Sequence, residues 1–411
     1  MNSKGVRFIL RNQVAYVSTY LPQKCGIATY TCHLRQAVQK AKRDTLDDPV
    51  VVIKDKNTVY PDNPFFKWSI AKQRRNDYGA AAESLNKSSV SVVSLQHEFG
   101  IFGGDAGVDI LDFVRKLKKP LVTTFHTVFE KPEAPYAPVQ REIAARSDRI
   151  VVMNRKAISY LTRAFNIPEE KISFIPHGTP VPDLRGRSAF RGKLGWSDRK
   201  VIMTFGFISR NKGIETVLKA LPEVVKKMPE VLYVIAGQTH PNVKAVEGES
   251  YRNFLKQIIA DEKLQDHVLM IDKFMTEQDL ARYITACDLY ITSYPGLEQI
   301  TSGTLAYAVG LGRPVLTTPY RYAQDLLKGN EELFVPFDDL AMWSDRIFTM
   351  LSDPSTLKTY QEKMSRIGDL MSWPHAGRKY SQIFEDVASG KKAVSNVIDL
   401  SEADKVAGEP R

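Results

Sequence analysis

Cysteine is scarce in this chain, with three among 411 residues: Cys25, Cys32 and Cys287. Their spacing matches no zinc motif, Cys25 and Cys32 stand too far apart for a redox pair, and an odd number cannot close a disulfide framework. Reduced thiols in a reducing compartment are expected. No apolar run is long enough to cross a bilayer, and the stretch Met1 to Arg11 lacks the apolar core of a signal peptide. The expected location is therefore cytoplasmic. No Gly-x-Gly-x-x-Gly follows a candidate strand with an acidic residue about 20 positions on, which removes the dinucleotide fingerprint of a Rossmann oxidoreductase. No loop ends in Gly-Lys-Ser or Gly-Lys-Thr, and no Asp-x-Asp occurs. The last absence removes the usual way of holding a divalent metal on a nucleotide diphosphate.

Charge is not lacking: 57 basic against 47 acidic residues give a net +10, which favours anionic partners without naming one. The basic residues lie in short clusters, Arg35 to Arg43 and Arg115 to Lys119, with neither zinc-finger spacing nor an aromatic RNA-binding signature. They read as solvated helix faces, so no nucleic-acid partner is expected. Peripheral contact with the anionic inner face of a membrane stays open.

The length favours two domains. Short β-branched runs alternate with amphipathic stretches throughout, the pattern of parallel sheets covered by helices. Candidate strands in the first half are Val14 to Ser18, Val50 to Lys54, Val90 to Leu95, Leu121 to Phe125, Arg149 to Met153 and Ile172 to Ile175. In the second half they are Lys200 to Phe205, Val231 to Ala236, Val268 to Ile271, Leu289 to Thr292, Val315 to Thr317 and Leu333 to Val335. Two such series predict two doubly wound α/β domains facing a central cleft. The break falls in the proline-rich segment Pro176 to Asp183. The expected limits are 1–180 and 181–372, followed by a terminal helix over 373–395 and a disordered tail over 396–411.

The most informative stretch runs from Glu298 through Gln299, Ile300, Thr301, Ser302 and Gly303 to Ala308. It follows an apolar strand, and its Thr-Ser-Gly-Thr cluster sits where a helix should begin, so unpaired amides would point outward as a phosphate seat. A carboxylate and a carboxamide just ahead of them could hold hydroxyls beside that phosphate, the chemistry of a nucleotide sugar. The same residues would also serve as an ordinary capped helix.

Other loops after strands carry further candidates. Gly26, with Ile27 beside it, stands just ahead of a helix after the first strand, where the backbone could approach an anion, or the two form a simple turn. His97, Glu98 and Phe99 open a glycine-rich aromatic loop of a composition suited to a sugar face, though His97 could equally be structural. His126 stands at the carboxyl end of a strand, as a cleft residue would, or as a structural histidine. Arg210 and Lys212 lie near a helix start, where cations are unfavourable unless an anion neutralises them.

Taken together, these loops resemble the family 4 retaining glycosyltransferases of GT-B architecture. The likeness is greatest to a bacterial subgroup with strings similar to Gln96 to Gly104, Thr239 to Val243 and Thr301 to Ala308. The resemblance implies that Gly26 lies against the donor diphosphate, that His126 contacts the transferred sugar, and that Lys212 is the phosphate lysine. The arginine usual five positions before Lys212 is replaced by Phe207, leaving Arg210 as a substitute. Glu298 or Gln299 matches the first acid of the family's Glu, seven residues, Glu signature; the second acid, normally a ribose contact, aligns with Tyr307. Phe274 and Met275 match the place where the base packs, and the helix from Trp373 would cross back to the first domain.

By the same resemblance, transfer proceeds on one face of the sugar, with the departing diphosphate taking the acceptor proton. Catalysis then comes from positioning and charge stabilisation, without a metal or other cofactor. The expected function is transfer of a hexose from a UDP- or GDP-linked donor to a saccharide or glycolipid acceptor entering past His97, Glu98 and Phe99. An epimerase or hydrolase on the same fold, or a non-catalytic nucleotide-sugar binder, would carry many of the same loops.

Overall fold

The computed structural model describes residues 12–42, 46–56 and 58–391. The expected tail over 396–411, the stretch Met1 to Arg11 and Arg43 lie outside the described residues. Two compact units emerge: of the described residues, one takes the chain through Ile175 together with those from Pro374 to Lys391, and the other spans Pro176–Trp373.

The first unit is built on a parallel sheet of β1 (Val14–Ser18), β2 (Val50–Lys54), β3 (Phe66–Ala71), β4 (Val92–His97), β5 (Leu121–Phe125), β6 (Arg149–Val152) and β7 (Ile172–Phe174). Their order across the sheet is β3-β2-β1-β4-β5-β6-β7. The central strands are buried along their whole length, as apolar, β-branched runs covered on both faces must be. β3 was not expected from the sequence. It is an edge strand, paired with β2 alone; its first four residues alternate between partly buried and exposed and only Ile70 is fully buried, so Phe66, Trp68 and Ile70 carry little of the continuous apolar signal of the other strands. The helix Trp373–Ala388 packs its residues beyond Pro374 on this unit, where Phe384 meets the edge of Tyr16 at 6.2 Å between ring centroids.

The second unit holds β8 (Lys200–Phe205), β9 (Val231–Ala236), β10 (Val268–Ile271), β11 (Leu289–Thr292) and β12 (Val315–Thr317), in the order β10-β9-β8-β11-β12 and again all parallel. The strand expected over Leu333 to Val335 is not one. Glu331–Leu333 forms a 3-10 turn, and only Val335 donates to the Thr317 carbonyl, at 2.9 Å, so the run adds one bridge rather than a ladder.

Both orders reverse direction at one place, between β1 and β4 in the first sheet and between β8 and β11 in the second. At such a switch point the loops leaving two adjacent strands diverge, and the crevice at their carboxyl ends receives ligands. In the second unit those two loops are the ones that carry Lys212 and the Tyr294 to Ser302 segment.

Candidate functional site

In the second unit the loop after β8 folds into a single 3-10 turn, Arg210–Lys212, and closes on Gly213. Gly213 has φ +58, and a Cβ there would fall 2.1 Å from the Ser293 carbonyl oxygen. No other residue lets this turn sit so close to the loop after β11. The Ser293 hydroxyl donates to the Lys212 and Gly213 carbonyls, at 3.2 and 2.8 Å, and ties the two loops together.

The Lys212 side chain is thereby aimed at the start of the helix Gly303–Gly310. Its ammonium donates to the Tyr294 hydroxyl at 2.9 Å and lies 4.4 Å from the centroid of that ring. The phenol oxygen is 2.6 Å from Thr304 Oγ1 and 3.5 Å from Ser302 Oγ. Ser302 is the helix N-cap and accepts from the Leu305 amide, so the amides left at the helix start without an intrahelical acceptor are those of Gly303 and Thr304. An ammonium, hydroxyls and open amides thus converge on one spot. Among the described residues, Lys212 has no carboxylate partner. The arrangement is suited to an anion of more than one charge.

Above this helix start lies His177, whose Nε2 would be 3.3 Å from a Cβ at Gly303. In the sequence this histidine falls within the expected domain break, Pro176 to Asp183. One turn further along the same face, with its ring 6.1 Å from that of His177, the Tyr307 hydroxyl donates to Glu277 Oε1 at 2.7 Å, and the Trp373 indole donates to the same oxygen at 3.3 Å. A phenol standing at the expected acid position therefore brings a carboxylate with it, delivered from the first residue of the helix Glu277–Ala286.

Three rings from three successive loops line the neighbouring strand ends. Phe207 lies 5.2 Å from the His240 ring and 5.9 Å from that of Phe274. Burial, and then the charge of Lys212, lower the pKa of His240. Met275 is partly buried and packs against the core.

Other expected members do not converge on Lys212. Arg210 is 61% exposed and turns to the rings of Tyr251 and Phe254, 5.5 and 5.9 Å from their centroids, with Glu247 at 3.8 Å. The guanidinium thus contacts this aromatic and acidic surface rather than Tyr294 or the start of the helix Gly303–Gly310. Glu298 is 71% exposed and pairs with Arg321 at 3.5 Å. Gln299 bonds the Thr301 carbonyl at 2.7 Å, Ile300 is buried as an anchor for the loop, and Thr301 is half-buried.

In the first unit Gly26 opens the helix Gly26–Lys42 directly after the β1 loop, with Ile27 beside it accepting from the Thr31 hydroxyl. No protein atom comes within 4 Å of a Cβ placed at Gly26, so packing within the chain does not require glycine there. His126, at the end of β5, is buried, and its Nε2 lies 3.1 Å from Gln96 Oε1. Gln96 is in turn surrounded by hydroxyls. Its amide donates to Ser94 Oγ at 3.1 Å and Thr124 Oγ1 at 3.4 Å, and Thr124 reaches the Tyr380 hydroxyl at 3.0 Å.

The acceptor loop requires a correction. His97 is wholly enclosed, ringed by Phe99, Phe102 and Phe125 at 4.8 to 5.7 Å, and neither ring nitrogen has a hydrogen-bond partner. Phe99 is buried as well. Gly103 and Gly104 are demanded by packing, since a Cβ at Gly103 would fall 2.1 Å from the Lys72 carbonyl oxygen and one at Gly104 2.7 Å from the Val108 side chain, whereas a Cβ at Gly100 would meet nothing within 4 Å. This string is core structure rather than a sugar platform, because its aromatic residues are spent on one another. Glu98 is partly buried; it accepts from the Phe99 amide at 3.0 Å and the Thr127 hydroxyl at 2.7 Å, and burial raises its pKa.

Burial also lowers the His97 pKa from 6.5 to about 3. Below pH 6.5 the unfolded chain takes up a proton at this residue that the folded chain refuses, so stability should fall steadily as the pH drops from 6.5 toward 3. His97→Leu should flatten that part of the curve, which urea midpoints at pH 5.0 and 7.5 would reveal. An equal acid-induced drop in wild type and variant would show that His97 is not its source.

Comparison with known proteins agrees with this architecture. Residues 26–181 match the family described as Glycosyltransferase Family 4, and residues 186–368 match Glycosyl transferases group 1. The chain is 25% identical over 329 residues to the alpha-monoglucosyldiacylglycerol synthase of Streptococcus pneumoniae, covering 72% of this chain and 70% of that one. It is 22% identical over 299 residues to the D-inositol 3-phosphate glycosyltransferase of Corynebacterium efficiens, covering 66% and 67%. Among solved structures, Anabaena HepE in complex with UDP and glucose superposes with a TM-score of 0.69 at 16% identity, covering 91% of this chain and all of that one. WaaG, a glycosyltransferase involved in lipopolysaccharide biosynthesis, gives 0.63 at 18%, covering 90% and 99%. Two Rossmann-like parallel-sheet units of this kind define the GT-B class. With the two family matches spanning most of its length, the chain is a glycosyltransferase of the family 4 type, and so an enzyme.

Proposed function

We propose that this enzyme transfers a hexose from a nucleotide diphosphate sugar, UDP- or GDP-linked, to a saccharide or glycolipid acceptor with retention of configuration. The observation that carries the reading is the meeting of Lys212, Ser302, Thr304 and the open end of the helix Gly303–Gly310 at the switch point of the second sheet. A departing diphosphate is the anion this site suits. Its developing charge would be met by fixed donors in place before the bond breaks, which lowers the barrier without reorganisation.

The other roles follow from placement. Phe274, Met275 and Phe207 offer apolar faces to a base, Glu277 and Tyr307 a carboxylate and hydroxyl to a ribose, and Thr301 and Gly303 their backbone to the phosphates. Gly26 keeps the backbone of the first unit approachable by the donor, and His126 steadies the sugar. Glu298 and Gln299 reach the sugar hydroxyls if the exposed pair with Arg321 opens. Arg210, being exposed, assists only by turning off its aromatic surface. The acceptor proton passes to the leaving diphosphate oxygen, so neither a protein base nor a metal is required. Among the described residues no three His, Cys, Asp or Glu side chains are grouped to hold a metal. No described helix is long and apolar enough to cross a membrane, and a glycolipid acceptor would be met at the surface of one.

The test is a panel of UDP- and GDP-sugars offered with and without saccharide and glycolipid acceptors. Acceptor-dependent release of nucleoside diphosphate that persists in excess EDTA is expected. Release independent of acceptor would make the protein a hydrolase, and abolition by EDTA would remove the metal-free account.

A further inference from the structure

Tyr294 lies at the centre of the phosphate seat, and no sequence motif pointed to it. The residue is 2% exposed, stacked on Tyr320 with 4.9 Å between centroids, and cannot swing away. Lys212 has three hydrogens to give and no lone pair, so in the 2.9 Å contact the phenol oxygen accepts. The phenol hydrogen must then go elsewhere, and Thr304 Oγ1 at 2.6 Å is the nearest acceptor. The rigid ring thus presents lone pairs to the ammonium and sends its own hydrogen to the helix start.

We infer that Tyr294 is the positioning residue for Lys212, a neutral tether that fixes the ammonium at the diphosphate seat without neutralising it. This rests on the reading of Lys212 as the lysine that binds the donor phosphates. A carboxylate could hold the lysine equally well, but it would cancel the charge the phosphates need and repel them. A phenol gives the geometry and leaves the charge available. Burial alone pushes the Tyr294 hydroxyl toward a higher pKa, yet the Lys212 charge and the bond it donates bring the pKa below the ordinary value. That balance is the mark of a full positive charge held against the oxygen. The need for such a tether follows from the loop itself: Phe207 supplies no second cation, and Arg210 faces away.

The experiment is calorimetric titration of UDP and GDP, with uridine and guanosine as controls, into wild type, Tyr294→Phe, Lys212→Ala and the double variant. The phenylalanine keeps the stack and removes only the oxygen. Tyr294→Phe should weaken binding of the preferred diphosphate about tenfold, leave that of its nucleoside unchanged, and add nothing to the loss already caused by Lys212→Ala. Unaltered diphosphate affinity in Tyr294→Phe, with a clear loss in Lys212→Ala, would overturn the tether and spare the lysine. Additive losses would likewise reject it, because Tyr294 would then act independently of Lys212. No loss in Lys212→Ala, or no binding of either diphosphate to wild type, would bring down the reading beneath it as well. A nucleoside affinity that falls with the diphosphate affinity would mark a general distortion of the site and count against the assignment. Tyr294→Glu supplies a second arm: it should retain the fold by thermal melting and lose diphosphate binding more severely than Tyr294→Phe. Retained binding in that variant would refute the argument from charge.

Discussion

Lys212→Ala should lower turnover by roughly two to three orders of magnitude, with a much smaller change in acceptor KM. The expected size follows from the setting of the ammonium. It stands at the end of a helix whose first amides are open, has no carboxylate partner among the described residues, and is aimed by a turn that Gly213 alone permits. A charge that is already neutralised would gain little from a departing diphosphate, whereas on the proposed reading this one would strengthen its hold as further charge develops on the leaving oxygen. Lys212→Arg should recover only part of the rate, because a planar guanidinium cannot reproduce one short contact to Tyr294 while also facing the phosphates. The measurement is single-turnover release of nucleoside diphosphate with a competent sugar donor. A rate within threefold of wild type would take Lys212 out of the mechanism.

Much of this was legible in the residues, and the exceptions have physical causes. Eleven of the twelve strands among the described residues could be read because parallel strands covered on both faces must be apolar along their whole length, as in Val50–Lys54 and Val231–Ala236. β3 escaped because an edge strand does not need that pattern, and Leu333 to Val335 was mistaken for a strand because it is equally apolar and makes one bridge. The cluster at Ser302 was visible because a capping residue beside glycine has a local signature. Tyr294 and Gln96 had none. Their importance comes from which strands lie side by side, and sequence distance hides that. The string from His97 to Gly104 misled for the opposite reason, since aromatic residues and glycines compose a sugar-binding loop and a tightly packed turn alike, and only burial separates the two.

Gln96→Leu should cost about ten- to a hundredfold in turnover, although Gln96 is fully buried. Its amide nitrogen is committed to the hydroxyls of Ser94 and Thr124, so its carbonyl oxygen is the atom turned to the imidazole. A carbonyl only accepts, which assigns the hydrogen to Nε2 of His126 and fixes the plane of the ring. Thr124 continues the chain to Tyr380 on the terminal helix, whose hydroxyl is 3.1 Å from that of Tyr30, and the Tyr30 ring packs edge-on against the imidazole at 4.8 Å. The imidazole is thus held from both sides. Leucine would leave the Nε2 hydrogen without its acceptor and loosen the ring, displacing the contact with the sugar that we propose for His126. Gln96→Glu, which keeps an oxygen facing the imidazole, should retain more activity than Gln96→Leu. Tyr380→Phe, two bonds further along the chain, should cost less than tenfold. Because the phosphate seat lies in the other unit, none of these changes should alter affinity for nucleoside diphosphate alone. Calorimetry beside steady-state rates separates the cases. A parallel loss of diphosphate affinity in Gln96→Leu would mean that the substitution acts through general unfolding, and an unchanged rate would mean that His126 needs no orienting partner.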